Sequence, residues 1–76
     1  MIALQLHTEV RGGSIIVTLP GSSYSVTYCM SLKGRHLHAR SLPTQNDRDA
    51  DMTIEEFVTA AWQLAHIRAR ELGWIV

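Results

Sequence analysis

The chain has 76 residues, of which 46% are hydrophobic and 18% charged, with seven Lys and Arg against seven Asp and Glu and a single cysteine. Zero net charge argues against a chain built mainly to coat nucleic acid or an anionic membrane. The apolar fraction excludes a disordered tail, and one cysteine cannot form an internal disulfide framework.

From Ile2 to Val10 the apolar residues Ile2, Leu4, Leu6 and Val10 alternate with Gln5, His7 and Glu9. This period of two is the mark of a half-buried strand. Gly12-Gly13 supplies the positive φ of a tight hairpin turn. A second strand, Ser14 to Leu19, sets Val10 opposite Ile15, Thr8 opposite Val17 and Leu6 opposite Leu19, so turn chemistry and apolar parity agree. Pro20-Gly21 predicts a type II turn. The third strand places Tyr24, Val26, Tyr28, Met30 and Leu32 on one face and Ser25, Thr27, Cys29 and Ser31 on the other. A two-residue Lys33-Gly34 loop then pairs Met30 with Leu37 and Tyr28 with Ala39. Leu37 and Ala39 are expected inward, and His36, His38 and Arg40 outward.

Residues 43–51 read as a polar surface connector. Thr53-Ile54-Glu55-Glu56 has the spacing of a capping box, with Met52 and Phe57 placed for a hydrophobic staple. The helix is predicted from Ile54 to about Leu72. Its apolar face comprises Ile54, Phe57, Val58, Ala61, Leu64, Ala65, Ala69 and Leu72. Arg68 falls within this face, its charge expected at the rim beside Glu71. Gly73 fits a left-handed cap, with Trp74 beyond it. Residues 1–76 are thus expected to form one α+β domain: a four-stranded antiparallel meander with one C-terminal helix packed on one face (ββββα).

Two stretches carry a resemblance. Residues 15–28 (IIVTLPGSSYSVTY) and the helix, with Glu56-Phe57, Ala61-Trp62, Leu64-Ala65 and the run from Ala69 to Val76, resemble a family of small bacterial proteins of unknown function. The resemblance implies a short bacterial protein and supplies no catalytic residues.

Few residue sets carry chemistry. His36 and His38 share a strand face, and Cys29 lies opposite His38, so two imidazoles and a thiolate form a candidate metal site with one position open. Lys33, Arg35, His36, His38 and Arg40 form a basic stretch, and Lys33, Arg35 and Arg40 are the candidate nucleic-acid contacts. The same outer face offers no aromatic for base stacking. Asp47, Asp49 and Asp51 alternate like the start of a calcium loop, but Met52 and Val58 occupy its glycine and glutamate positions. Cys29 with His38 lacks any visible oxyanion hole, and no glycine-rich loop opens a helix, so the chain is expected to be no enzyme and to need no cofactor.

What remains is uncovered surface. One helix leaves a sheet face bare, and Trp74-Ile75-Val76 is apolar. The tail either folds back to close the core or meets a second chain. The leading expectation is a non-enzymatic interaction module, pairing with itself or with another protein through Ile16, Thr27, Cys29, Trp62, Trp74 and Ile75. The opening residues lack the charged head and apolar run of a signal peptide, and no stretch approaches the roughly 20 apolar residues of a membrane span. A cytoplasmic chain with no membrane partner is expected.

Overall fold

The structure is a computed structural model that describes residues 6–31, 36–44, 47–48, 50 and 52–75. Four strands, β1 (His7–Arg11), β2 (Ser14–Thr18), β3 (Ser25–Met30) and β4 (Leu37–Ser41), precede one helix, α1 (Ile54–Glu71). The strands form one antiparallel sheet in the order β1-β2-β3-β4. The architecture is the expected ββββα meander.

The first hairpin forms in the expected register, with Val10 opposite Ile15 and Thr8 opposite Val17. Only Gly12 takes a positive φ, at 57°. A glycine in that conformation at the first central position of a two-residue loop fits a type II′ turn, whose twist suits the strands it joins. The expected beginning of this strand, Ile2 to Gln5, lies outside the described residues. At the Pro20-Gly21 turn the Ser22 amide donates to the Leu19 carbonyl at 3.2 Å. The last hairpin also has the expected pairs, Met30 with Leu37, Cys29 with His38 and Tyr28 with Ala39, although Leu32 to Arg35 are outside the described residues.

Beyond Ala39 the ladder departs from the simple pattern. Thr27 pairs with Ser41 rather than Arg40, so β4 carries one extra residue, a β-bulge. Ala39, expected inward, is exposed, and Met30 is 37% exposed. Both lie on the helix-facing side of the sheet, but the helix rests on β2 and β3 and leaves β4 largely uncovered.

The helix begins with a complete capping box. The Glu56 amide donates to the Thr53 hydroxyl at 3.2 Å, and the Thr53 amide donates to the Glu56 carboxylate at 2.9 Å. It ends in a Schellman motif: the Trp74 amide donates to Ala69 C=O and the Gly73 amide to Arg70 C=O, at 2.9 and 3.1 Å. Gly73 holds φ at 78° with open space where a side chain would sit, so its requirement is conformational rather than steric. The fully buried helix positions are Phe57, Ala61, Ala65 and Ala69. Three alanines at four-residue spacing let the helix axis approach the Ile15 and Val17 side chains of β2 closely, while Phe57 fills the space near Tyr24, with ring centroids 5.2 Å apart. Leu72, expected within this face, is 37% exposed because it lies past the last helical turn. Arg68 keeps its side chain partly exposed and pairs with Glu71 at 3.3 Å, as expected. No described helix is long and apolar enough to cross a membrane.

The alanine stripe should tolerate little growth. Ala65→Leu would force added methyl groups into a contact with no exposed area, with an expected cost of about 1–3 kcal/mol. Urea denaturation followed by circular dichroism measures it, and an unchanged midpoint would show that the helix stands off the sheet.

Candidate functional site

Strand register sorts the outer sheet face into rows. Arg11, Ser14, Cys29 and His38 form one row; Glu9, Ile16 and Thr27 form the next; His7, Thr18 and Ser25 form a third. Ile16 is the one large apolar side chain in these rows. The Cys29 thiol and the Ser14 hydroxyl lie 3.2 Å apart, and Arg11 Nε lies 2.8 Å from Glu9 Oε2 at the sheet edge. Among the described residues no element covers this face, and it is polar.

The six residues expected to form one interface are divided by the fold. Ile16, Thr27 and Cys29 are half-buried on the outer face. Trp62 is on the helix, across the sheet from them, 43% exposed. Ile75 is buried in the core and Trp74 packs against it. The expectation that the tail reaches another chain is corrected at Ile75: the Schellman turn redirects the backbone after Gly73 and folds Trp74 and Ile75 back onto this chain's own core.

Trp62 has an intramolecular task. Its ring meets Tyr28 edge-on, 5.6 Å between centroids at 64°, and the His66 ring lies tilted against it, 4.1 Å between centroids at 55°. His66 is held by its Nδ1, 2.8 Å from the Trp62 carbonyl. Beneath this lid the Tyr28 hydroxyl is buried and has no hydrogen-bond partner among the described residues. Tyr24 contrasts with it. Its hydroxyl donates to the Met52 carbonyl at 3.2 Å and accepts from the Asp47 amide at 3.1 Å, so it tethers the connector to the sheet. The Asp47 carboxylate in turn accepts from the Ser23 amide, an ordinary structural bond; Asp49 and Asp51 lie outside the described residues.

Of the candidate metal ligands, Cys29 and His38 are cross-strand partners, while His36 is exposed beyond the end of β4 and its carbonyl accepts from the Ser31 amide at 2.9 Å. Among the described residues no group of three His, Cys, Asp or Glu side chains is close enough to hold a metal ion. Of the candidate nucleic-acid contacts, Lys33 and Arg35 lie outside the described residues, and Arg40 is exposed at the bulge.

One apolar surface escaped the sequence reading. A groove of about 190 Å³ is lined by Leu6, Ala60, Gln63, Leu64 and Ile67, between the helix and the start of β1. Ile67 is 52% exposed. Its signal was present: at 100° per residue it falls well away from the arc through Phe57, Ala61, Ala65 and Ala69. An isoleucine outside the core arc still has to be explained.

Compared with protein-family models, curated proteins and solved structures, the chain finds no match in any of the three. The fold and surface therefore define an architecture, a single-helix β-meander, and the function rests on its own geometry.

Burial pushes the Tyr28 phenol above its ordinary 10.0. Below about 10 folded and unfolded chains both keep the proton, so pH leaves this contribution unchanged. Above it the unfolded chain loses its proton first, and stability falls as pH rises. Tyr28→Phe should flatten that alkaline decline and, by removing an unpaired buried hydroxyl, keep neutral-pH stability or raise it by up to about 1 kcal/mol. Thermal melts of both proteins from neutral to strongly alkaline pH check this; a substantial loss of stability at neutral pH would show that the hydroxyl has a partner.

Proposed function

We propose that the protein is a small non-enzymatic module that associates with a second copy of itself through apolar surface its own helix leaves uncovered. The observation that carries this reading is Ile67, a large aliphatic side chain more than half exposed at the margin of a groove shared with Leu6 and Leu64. A solitary exposed apolar residue is unremarkable. An exposed isoleucine continuous with an apolar groove, beside a strand that is an edge among the described residues, is the pattern of a surface awaiting a partner. Zero net charge at neutral pH supports the same reading, because two copies approach without long-range repulsion. A domain this small also buries a modest fraction of its surface alone, so association adds stability it otherwise lacks.

The polar outer face contributes less than its openness suggests. With Ile16 its only large apolar group, it offers little hydrophobic driving force. The reading therefore moves from that face and the C-terminal tail to the helix flank.

Sedimentation velocity and light scattering across a wide concentration range test it. The expected result is a species of twice the 8.5 kDa chain mass that dissociates on dilution. A mass of one chain at every concentration overturns the reading.

A further inference from the structure

We infer that the dimer forms by antiparallel pairing of β1 with the partner's β1 across a two-fold axis, joining two sheets into one of eight strands. This rests on the self-association proposed above and specifies the surface.

The two sheet edges are not equivalent. An exposed edge is a template for another strand unless something blunts it. β4 is blunted: the bulge at Arg40 interrupts its ladder, and its exposed side chains include His38 and Arg40, which a two-fold pairing would bring near their own copies. β1 is regular over its five residues, and each pairs in turn with β2.

Its pairing chemistry follows from the first hairpin. In a hairpin with a two-residue loop, the flanking residues Arg11 and Ser14 are a hydrogen-bonded pair. Alternation then turns the backbone groups of Arg11, Glu9 and His7 toward β2, and those of Val10 and Thr8 outward. A two-fold antiparallel pair must set outward-pointing residues opposite one another, so the axis passes through Val10, Glu9 or Thr8. Centred on Val10, Glu9 faces the partner's Arg11. Centred on Thr8, Glu9 faces the partner's His7. Centred on Glu9, Val10 and Thr8 still exchange hydrogen bonds with the partner, but Glu9 faces its own copy and His7 faces the partner's Arg11, and these like charges oppose that register. The order His7, Glu9, Arg11 therefore selects the registers centred on Val10 or Thr8, which set the acid opposite a base twice per dimer. Opposite charges directly across a strand pair stabilise it and like charges destabilise it.

The apolar part of the interface lies beside this edge. A two-fold axis perpendicular to the sheet keeps both helices on the same side. It brings the groove of Leu6, Leu64 and Ile67 against the partner chain, at the margin where the helix stops covering the sheet. A stable dimer buries about 800 Å² per partner. Five residues of strand edge cannot supply that alone, and the helix flank adds the apolar area.

Charge-reversed chains test the edge. Glu9→Arg makes positions 7, 9 and 11 all basic, and the double variant His7→Glu with Arg11→Glu makes them all acidic. Each variant alone should dimerise about tenfold or more weakly than the wild type in either register, with unchanged circular dichroism, since all three side chains are exposed. Mixed in equal amounts, the two variants should form a one-to-one heterodimer at least as tight as the wild-type dimer. Weak homodimers with a restored heterodimer support the β1 pair. A wild-type dimer whose affinity ignores these substitutions overturns the β1 pairing and leaves self-association standing; a monomeric wild type overturns both.

Discussion

The structure depends on a mismatch of widths. Four strands spaced about 4.8 Å apart make a sheet roughly 19 Å across, and one helix with its side chains is about 10 Å wide. The helix cannot cover that sheet, so its placement decides which residues become core. It rests on β2 and β3, and there Ile15, Val17, Val26, Tyr24 and Tyr28 are essentially inaccessible. Over the outer strands the same sheet face runs out of cover: Ala39 is exposed beside β3, and Val10 is half-buried in β1. The alanine stripe deepens the effect, because three small residues bring the helix close to its two strands and themselves add no reach toward the margins.

The protein treats its two margins differently. On the β4 side Trp62 extends from the helix over Tyr28 and is itself braced by His66. One aromatic shelters what the helix misses, and it closes that side with a ring that offers no acceptor to the Tyr28 hydroxyl, which has no partner among the described residues. On the β1 side no comparable side chain reaches across among the described residues. Leu6, Leu64 and Ile67 border an open groove instead. The C-terminal Trp74 and Ile75 cannot help there, because the Schellman turn commits them to the chain's own core.

How far the sequence could be read follows from the range of each interaction. The hairpin register, the capping box, the Arg68–Glu71 pair and the Schellman cap are set by residues within a few positions of one another, and each could be derived from spacing alone. Ala39 could not. Its alternation pointed inward correctly, but inward is buried only where a helix lies overhead, and the lateral position of α1 is a tertiary quantity. The bulge at Arg40 is hidden for a related reason, since it is a local break in the alternation that strand patterning assumes, although Arg40 itself is exposed as expected. The interface set of Ile16, Thr27, Cys29, Trp62, Trp74 and Ile75 was assembled by exposure without regard to side. Sheet parity already separated Cys29 from Tyr28, and so from any residue packed on Tyr28. Ile67 lies off the core arc, where periodicity alone gives a large aliphatic residue no partner.

The position of Ile67 follows from how small folds present surfaces. In a domain with one helix, the core arc of that helix is narrow, and here alanine makes it narrower still. Any large aliphatic residue beyond the arc then faces water unless another chain covers it. Among the described residues the adjoining strand edge has no further strand beside it, which favours the same solution for a different reason: hydrogen bonds gained at an edge give direction, while apolar area gained beside it gives affinity. Charges determine which strand can provide the first. On β4 the bulge and the bases oppose a like partner, whereas on β1 an acid between two bases accepts one. The edge that can pair with its own copy is thus also the edge beside the uncovered isoleucine, and two features that would mean little apart specify a single geometry.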